Sequence, residues 1–346
     1  MPEMPEVEGL RTFLERELVG RTVTRAELAA FSALKTFATP LSALLGSEVD
    51  RVERHGKFLC LDIDGLWLAF HLARAGWLRW YDHAPDKPAR PGKGPLAFRL
   101  VAEGPASARV GPEAALGGSG DVVGATNPAG KPVGTTEFPG GASSELVGAD
   151  EGTGGDVGTP APGPVGFDLT EAGTQKHLAL HVVHDLAEVP GIARLGPDPL
   201  ADDFTADNFA TVLAEHPRTQ IKGLLKDQSV FAGIGNAWSD EILQAARLSP
   251  FKLAGSLDQA ELGALFDATR TTLSVAIDRA VGLPPAQLKD NKRSHLGIHG
   301  QKGQPCPTCG TSVAEVSFAD TFLNYCPTCQ TGGKLLADRR MSKLLK

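Results

Sequence analysis

The chain has 346 residues and a formal net charge of −7, and it contains no apolar run as long as the roughly eighteen residues of a membrane span. Its start, MPEMPEVEGL, lacks the basic segment and the apolar core of a signal peptide, so we expect a cytoplasmic protein. The length is sufficient for two ordinary domains, each with its own core.

The acidic charge is unevenly distributed, and this bears on the choice of partner. Residues 104–165 contain seven acidic and two basic residues, whereas the stretch from Leu283 to the end contains nine basic and four acidic ones. The local field, rather than the whole-chain total, governs approach to a phosphate backbone. The net charge therefore argues only weakly against a nucleic-acid partner.

The first part of the chain combines one helix with short strands. Residues 5–18 predict a helix with Pro5 near its start and an apolar face. That face consists of Val7, Leu10, Phe13 and Leu14. Strand-like runs follow: TVTRAEL, SEVDRVERH, KFLCLDI, LWLAFHL, GWLRWYD, AFRLVAEG and KHLALHVV. Their close spacing, with Gly and Asp at the breaks, predicts an antiparallel sandwich or barrel.

Residues 104–165 interrupt this strand pattern. The segment is rich in Gly, Pro, Ala, Ser and Thr and has few large apolar residues. Such a composition buries too little surface to fold alone. We interpret it as a disordered insertion in a hairpin loop, with a solvated spacer favoured over a regulatory element.

From Pro197 onward the pattern becomes helical. Residues 205–216 predict a helix with Thr205 as its N-cap, ending at Pro217. Residues 219–250 predict two helices joined by a Gly-punctuated turn, and a long amphipathic helix is predicted to begin at Ser256. A basic, polar stretch follows Gly282 and leads into the cysteines.

Four of the five cysteines form two C-x-x-C pairs. Sixteen residues separate Cys309 from Cys326, which fits a β-hairpin between two metal-binding knuckles. Four thiolates complete a tetrahedral shell for one structural Zn²⁺ ion. The predicted ligands are Cys306, Cys309, Cys326 and Cys329, whereas Cys60 lies in an apolar run and is predicted to be a core residue.

The N-terminus offers a nucleophile. A small second residue usually permits removal of the initiator Met, which would expose the secondary amine of Pro2. Such an amine can attack a sugar C1′ and form an iminium ion that acts as an electron sink for elimination of the neighbouring phosphate. Glu3 could protonate the sugar ring oxygen or move protons between steps.

Five segments occur in one order: MPEMPEVEGL, RHGKFL, HLARAGWL, DQSVFAGIGNAWSDEIL and the four-cysteine hairpin. Together they resemble the formamidopyrimidine-DNA glycosylase/endonuclease VIII family of base-excision repair enzymes, over nearly the whole chain apart from residues 104–165. The resemblance implies an α+β fold with an N-terminal antiparallel β-sandwich, flanking helices, a helical helix–two-turn–helix domain and a zinc β-hairpin. It also implies a monomer that binds damaged double-stranded DNA in the cleft between domains.

The resemblance assigns roles to individual residues. Pro2 matches the Schiff-base nucleophile, Glu3 the general acid, and Lys57 a strand-borne lysine near the lesion and its phosphate. Lys222 and Asn236 match phosphate contacts of the helix–two-turn–helix. Glu6 matches a carboxylate that supports conformation and does not carry protons. In GIGN, two glycines would let backbone N–H groups approach an anion at a helix start.

Three departures from the family pattern limit the choice of lesion. Arg74 stands where purine-reading members carry a Met that fills the gap left by the extruded base, and we expect His71 and Arg74 to contact DNA. The segment FDLTEAGTQKHL, predicted to contain the wedge loop, lacks the family's Arg and Phe, although Lys176 or His177 could touch DNA. Thr321, beside Asp320, stands where the hairpin tip normally carries an arginine. The sequence therefore predicts β-elimination and leaves δ-elimination open, and the tail 334–346 could supply the missing cation.

The sequence therefore predicts a bifunctional DNA glycosylase and abasic-site lyase, nucleoid-associated when acting. We expect a catalytic domain over residues 1–190, a DNA-binding domain over 191–300, and a zinc hairpin with a basic tail over 301–346. Three alternatives stay open: a catalytically inactive lesion-binding protein, an enzyme acting mainly as an abasic-site lyase or on oxidised pyrimidines, and a zinc-ribbon protein that binds RNA or protein.

Overall fold

The computed structural model describes residues 1–92, 94–105, 163–173, 176–318 and 321–337. The predicted insertion therefore lies almost entirely outside the described residues. The helices are α1 Met4–Leu18, α2 Ala206–Ala214, α3 Ile221–Lys226, α4 Asn236–Ala245, α5 Gln259–Ala280, α6 Pro285–His295 and α7 Pro327–Thr331. The strands are β1 Thr22–Leu28, β2 Val49–His55, β3 Phe58–Ile63, β4 Leu66–His71, β5 Gly76–Tyr81, β6 Leu96–Glu103, β7 Val165–Glu171, β8 Ala179–Val183, β9 Ala314–Ser317 and β10 Phe322–Tyr325.

Two antiparallel four-stranded sheets form the predicted sandwich. One has the order β1-β6-β7-β5 and the other β2-β3-β4-β8. Their inner faces and the apolar face of α1 share one buried core, in which Leu10, Leu14, Phe70 and Phe167 are fully enclosed. Burial of such side chains is the main favourable term in folding. The predicted α+β class and sandwich are confirmed.

Strand β7 was not predicted, because residues 167–171 were assigned to the wedge-loop segment and Val165 to the insertion. Both assignments were wrong for β7, which pairs with both β6 and β5. Six of the seven residues are buried, so the strand lacks the alternation that marks a half-exposed strand. Asp168 is buried there because Arg99 binds it through two nitrogen atoms, at 2.6 and 2.8 Å.

A second core lies in the helical half. It contains residues of α2 to α5 and also Met4 from the start of α1. Thr205 caps α2 as predicted, but α5 is capped by Asp258 and not by Ser256, which lies in a preceding 3-10 turn. The polar stretch after Gly282 forms the helix α6, which was not predicted.

The C-terminal part of the described chain is a small hairpin. Strands β9 and β10 pair antiparallel between the two cysteine knuckles and form the predicted hairpin. Val316, Leu323 and Tyr325 form its own small core with partly buried neighbours. Within the described ranges, no helix is both long and apolar enough to cross a membrane.

Candidate active site

The start of the chain is held against the loop that precedes α4. The backbone N–H of Met4 donates to the carbonyl of Gly233, at 2.9 Å. The Glu3 carboxylate accepts hydrogen bonds from the backbone N–H groups of Ala237 and Trp238, at 3.1 and 3.2 Å. The anion predicted at this helix start is therefore Glu3 itself, where the helix dipole also favours negative charge.

Glycines in GIGN make this contact geometrically feasible. Gly233 has φ +89°, and a Cβ atom there would lie 2.6 Å from the Cε atom of Met4. A Cβ atom on Gly235 would lie 2.3 Å from the carboxyl carbon of Glu3. Both distances are shorter than normal contacts of a Cβ atom. Glycine at these two positions therefore allows the N-terminal residues to pack against the loop before α4.

Glu6 supports Glu3 from within α1. One oxygen of Glu6 accepts the backbone N–H of Glu3 at 2.8 Å, and the other accepts the indole N–H of Trp238 at 3.2 Å. This agrees with the supporting role predicted for Glu6. The two carboxylates are both buried, so a buried cation is needed beside them.

Lys292 of α6 supplies that cation, and sequence reasoning missed it. Its Nζ atom lies 2.8 Å from Glu6 Oε2, 3.5 Å from Glu3 Oε1 and 3.4 Å from the carbonyl oxygen of Met1. The ammonium group also sits 5.6 Å from the ring centroid of Trp238. Only 12% of the side chain is exposed, so the group is committed to these contacts.

Lys57 lies at the mouth of the same site. It occupies the two-residue turn between β2 and β3, after Gly56 at φ +56°, and is therefore not carried on a strand as predicted. A cavity of about 570 Å³ is lined by Glu3, Lys57, Arg74, Lys292 and other residues. The remaining lining includes Met1, Lys226, Gly235, Asn236, Ala237, Arg293, Leu296, His299, Thr321 and Phe322.

The charges in this cavity strongly influence one another. Burial alone would raise the pKa of Glu3, but the charges of Lys292 and Lys57 and the two backbone donors outweigh it and lower that pKa to about 2. Burial lowers the pKa of Lys57 to about 8, with Glu3 opposing the shift. Burial and the nearby Lys292 also lower the pKa of the N-terminal amine, here that of Met1. Glu3 is therefore ionised in the free protein and must first receive a proton if it is to act as an acid.

His71, at the end of β4, and Arg74, in the connection from β4 to β5, lie near the N-terminal residue. A neighbouring cavity of about 700 Å³ is lined by Met1, His71, Arg74 and His177, among others. Burial, helped by Lys57, lowers the pKa of His71 to about 4, so the ring is neutral near pH 7. Its Nδ1 atom accepts the backbone N–H of Ala73, which leaves the Nε2 atom to carry the proton. Arg74 is exposed, and its position agrees with a DNA contact.

Lys222 and Asn236 were predicted to contact phosphates, and both have partners within the protein. The ammonium of Lys222 is buried and contacts Asp240 Oδ1 at 2.5 Å and Ser239 Oγ at 2.9 Å, so it is not presented to solvent as a phosphate contact requires. The Asn236 side-chain N–H donates to the carbonyl of Phe322 at 2.8 Å, which ties α4 to the hairpin. Asn236 also lines the cavity of Glu3.

The neighbourhood of Asp240 was not anticipated. Besides Lys222, the Asp240 carboxylate binds His299 Nδ1 at 2.7 Å and the backbone N–H of Asn324 at 3.2 Å. The His299 ring stacks on Phe322 with centroids 5.1 Å apart. Asp240 lies in the segment DQSVFAGIGNAWSDEIL, but its pairing could not be predicted from that segment, because its partners come from three distant segments.

The predicted departures have different outcomes. Thr321 lines the cavity of Glu3, whereas Asp320 and the tail beyond residue 337 lie outside the described residues. Lys176 donates to the carbonyl of Glu171, and His177 reaches the cavity beside Arg74. Of these two predicted contacts, His177 is the better placed to face a ligand.

The four predicted zinc ligands meet at one point. Their Sγ atoms all lie within 4.8 Å of one another, which fits a tetrahedral thiolate shell. The Cys326 sulfur accepts the backbone N–H of Cys329 at 3.5 Å, an arrangement that suits a thiolate. Cys60 is fully buried in the sandwich, away from this group, as predicted.

The fold and the site together define a class of protein: zinc-finger proteins whose N-terminal residues pack against a helix–two-turn–helix. Family models match three parts of the chain. The formamidopyrimidine-DNA glycosylase N-terminal domain matches residues 1–109, and the formamidopyrimidine-DNA glycosylase H2TH domain matches residues 195–283. The zinc finger found in FPG and IleRS matches residues 303–332, so the four cysteines are ligands of a structural zinc ion.

Individual relatives agree with the family models. A formamidopyrimidine-DNA glycosylase of Symbiobacterium thermophilum is 30% identical over 353 residues, covering 98% of this chain and 93% of the relative. An uncharacterized formamidopyrimidine-DNA glycosylase-like protein of Mycobacterium tuberculosis is 53% identical over 161 residues, covering 46% of this chain and 100% of the relative. The crystal structure of the MutM (FPG) protein from Thermus thermophilus has 26% identity and a TM-score of 0.65, covering 96% of this chain and 100% of that one. The chain belongs to the formamidopyrimidine-DNA glycosylase family.

Proposed function

We propose that this protein excises an oxidised base from double-stranded DNA and cleaves the resulting abasic site through a Schiff base on Pro2. The proposal rests on the contacts that hold the N-terminal residues in place. The Glu3 carboxylate accepts a backbone hydrogen bond at the start of α4, and the ammonium group of Lys292 contacts the carbonyl of Met1. Glu3, Lys292 and Lys57 line one cavity. A scaffold that only bound DNA would not need this arrangement around the first residues.

The chemistry follows from the charges. With Met1 removed, the uncharged Pro2 nitrogen attacks C1′ of the sugar. The base departs with the electron pair of its bond and takes a proton from water, and Glu3 takes up the proton that the nitrogen loses. Glu3 then gives this proton to the ring oxygen, the C1′–O bond breaks, and a C1′–N iminium ion forms. Water removes a proton from C2′, the electron pair of that C–H bond moves toward the iminium, and the 3′ phosphate departs with the electrons of its C–O bond in β-elimination.

The same surface provides contacts for DNA. Basic groups of Lys57, Arg74, Lys226 and Arg293 surround the cavity of Glu3, which suits the phosphates flanking an extruded nucleotide. We place the boundaries of the working units at residues 190 and 300, so that DNA would contact residues on both sides of the first boundary. Lys222 is assigned to the support of α4 rather than to a phosphate.

One experiment tests the nucleophile directly. Purified protein with a native N-terminus is mixed with a duplex that carries an abasic site, and borohydride is added. We expect a covalent protein–DNA adduct that is lost when extra residues precede Pro2, while binding to a tetrahydrofuran abasic analogue persists. Equal adduct formation by the extended protein would assign the chemistry to another amine, such as that of Lys57.

A narrower activity is the second candidate. Arg74, rather than Met, occupies the loop beside the proposed nucleophile. At the hairpin tip, position 321 carries a threonine, which lines the cavity, in place of the arginine of the family pattern. Both features favour an enzyme that acts mainly on abasic sites or oxidised pyrimidines and stops after β-elimination. Gel analysis of the cleaved 3′ ends distinguishes a β-product from a β,δ-product.

A further inference from the structure

Lys292 has an unusual position for a residue of a polar surface helix. Helix α6 buries only Pro285 and Leu288 fully, yet the side chain of Lys292 is 12% exposed and reaches both N-terminal carboxylates. Placing an ammonium group out of water is unfavourable unless paired charges compensate. The helix is therefore docked so that one cation enters the centre of the site.

The charge balance in the site explains why this cation matters. Two carboxylates, Glu3 and Glu6, are buried beside the N-terminus, and two ammonium groups, Lys57 and Lys292, lie close to them. These four buried charges balance without the terminal amine, and the more exposed Arg74, Lys289 and Arg293, which line the cavity of Pro2, add only positive charge. Protonation of that amine would leave one uncompensated positive charge in a buried cluster, so the neutral amine is favoured.

Geometry connects Lys292 to the reacting atom. Its Nζ atom is 3.4 Å from the carbonyl oxygen of Met1, and the carbon of that carbonyl is bonded to the Pro2 nitrogen. Pro2, Glu6 and Lys292 also line one cavity of about 220 Å³. When Met1 is removed, Lys292 therefore stays beside the nitrogen that becomes the nucleophile.

We propose that Lys292 is a positioning residue for the N-terminal nucleophile: its ammonium fixes the Glu3 and Glu6 carboxylates and keeps the Pro2 nitrogen in its uncharged, reactive form. The proposal rests on the function proposed above and extends it to a residue outside the motifs of the N-terminus. Lys292 does not touch the reacting sugar in this scheme, and it acts through the carboxylates and its electric field.

The groups that act on the terminal amine come from several elements. Glu3 and Glu6 of the α1 start favour the charged amine, while burial, Lys292 and, less strongly, Lys289 of α6 disfavour it. Lys57 of the β2–β3 turn faces the same carboxylates, and Lys226 of α3 acts on Lys57. Removing Lys292 both deletes a cation and frees two carboxylates, and both changes favour protonation of the amine.

The test is the pH profile of single-turnover cleavage of an abasic duplex, between about pH 5.5 and 9. In Lys292→Met, the midpoint of the acid limb of the pH–rate profile should move to higher pH by about one unit or more. At pH values below the wild-type midpoint of this limb, the rate should then fall about tenfold, and it should recover at alkaline pH. Lys292→Arg should keep the wild-type limb, because the charge is retained. The matched control Lys289→Met, one turn away and over the ring of Trp77, should shift the limb much less.

Lys292→Gln keeps an amide donor for Glu6 and replaces the Met variant if that protein does not fold. An unmoved acid limb in a folded, uncharged variant contradicts the proposal, as does an equal loss of rate at every pH. Absence of cleavage and of a borohydride adduct in the wild-type protein instead removes the proposed function. Binding of the tetrahydrofuran duplex, measured at each pH, separates altered chemistry from altered affinity.

Discussion

Two buried charge clusters meet at helix α4, and they are built from the same kinds of group. The Glu3 cluster consists of Glu3, Glu6, Lys57 and Lys292, and the Asp240 cluster consists of Lys222, Asp240, His299 and Asn324. Each pairs buried carboxylates with lysine and uses backbone N–H donors. The two clusters differ in how completely they are closed.

The Asp240 cluster is closed around Lys222, although its His299 also lines the cavity of Glu3. Lys222 has three oxygen partners, which are the carbonyl of Asn236, the hydroxyl of Ser239 and the carboxylate of Asp240. The carboxylate of Glu3 instead opens into the cavity of about 570 Å³ beside the terminal amine. A saturated buried pair is typical of structural support, whereas a buried pair beside an open cavity suits the chemistry proposed here.

The largest expected effect follows from breaking the open cluster. Glu3→Gln places an amide N–H group against two backbone N–H donors and removes the proton acceptor of the first step. We expect single-turnover cleavage of an abasic duplex to fall by about 10²–10⁴-fold. Glu3→Asp, which keeps the charge on a shorter side chain, is the control. Wild-type cleavage by the Gln variant would show that another group moves the proton.

Breaking the closed cluster should affect stability instead. Asp240→Asn leaves the buried Lys222 without its counter-ion, and we expect the free energy of unfolding to fall by about 3–5 kcal/mol. Urea unfolding measures this change. The double variant Lys222→Met/Asp240→Asn should recover part of the loss, because the unpaired charge is gone. Complete loss of cleavage activity in folded Asp240→Asn protein would contradict the assignment of the Asp240 cluster to structural support.

The elements with a periodic or continuous apolar pattern could be predicted from the sequence. The buried face of α1, the strands from β1 to β6, and the cap of α2 at Thr205 all leave a recognisable signal. Strand β7 is buried on both faces, as β3, β4 and β6 are, but Gly166 and Asp168 interrupt its apolar run. Helix α6 does not, because it buries few residues and has no apolar stripe.

The site was predictable to the extent that its residues lie in motifs. Pro2, Glu3 and Lys57 come from two such segments, and the structure brings Glu3 and Lys57 to one cavity. Lys292 belongs to no motif, and its role depends on where a polar helix docks. The burial of Lys222 has the same origin, because the partner Asp240 is turned inward by α4 packing.

A smaller effect is expected from Lys57. Its pKa of about 8 means that the free protein carries this charge below pH 8 and loses it as pH rises. Lys57→Met should therefore weaken binding of a tetrahydrofuran duplex by about tenfold near pH 7, corresponding to about 1.4 kcal/mol. The deficit should shrink above pH 8. Lys57→Arg keeps its charge throughout, so its affinity relative to wild type should rise with pH. A deficit that does not change with pH would mean that Lys57 acts by packing.

The smallest effect is expected at His71, and it distinguishes the two predicted contacts of the β4–β5 connection. Burial and Lys57 keep His71 neutral near pH 7, whereas Arg74 presents an exposed guanidinium group. Arg74→Gln should lower the slope of log affinity against log salt by about one, as expected for one lost phosphate contact. His71→Gln, which retains an N–H donor, should leave that slope unchanged and alter affinity by less than about twofold. An equal loss of slope in both variants would show that His71 becomes protonated when DNA binds. Such protonation would require a phosphate within contact distance of the Nε2 atom of His71, because burial and the charge of Lys57 both oppose it.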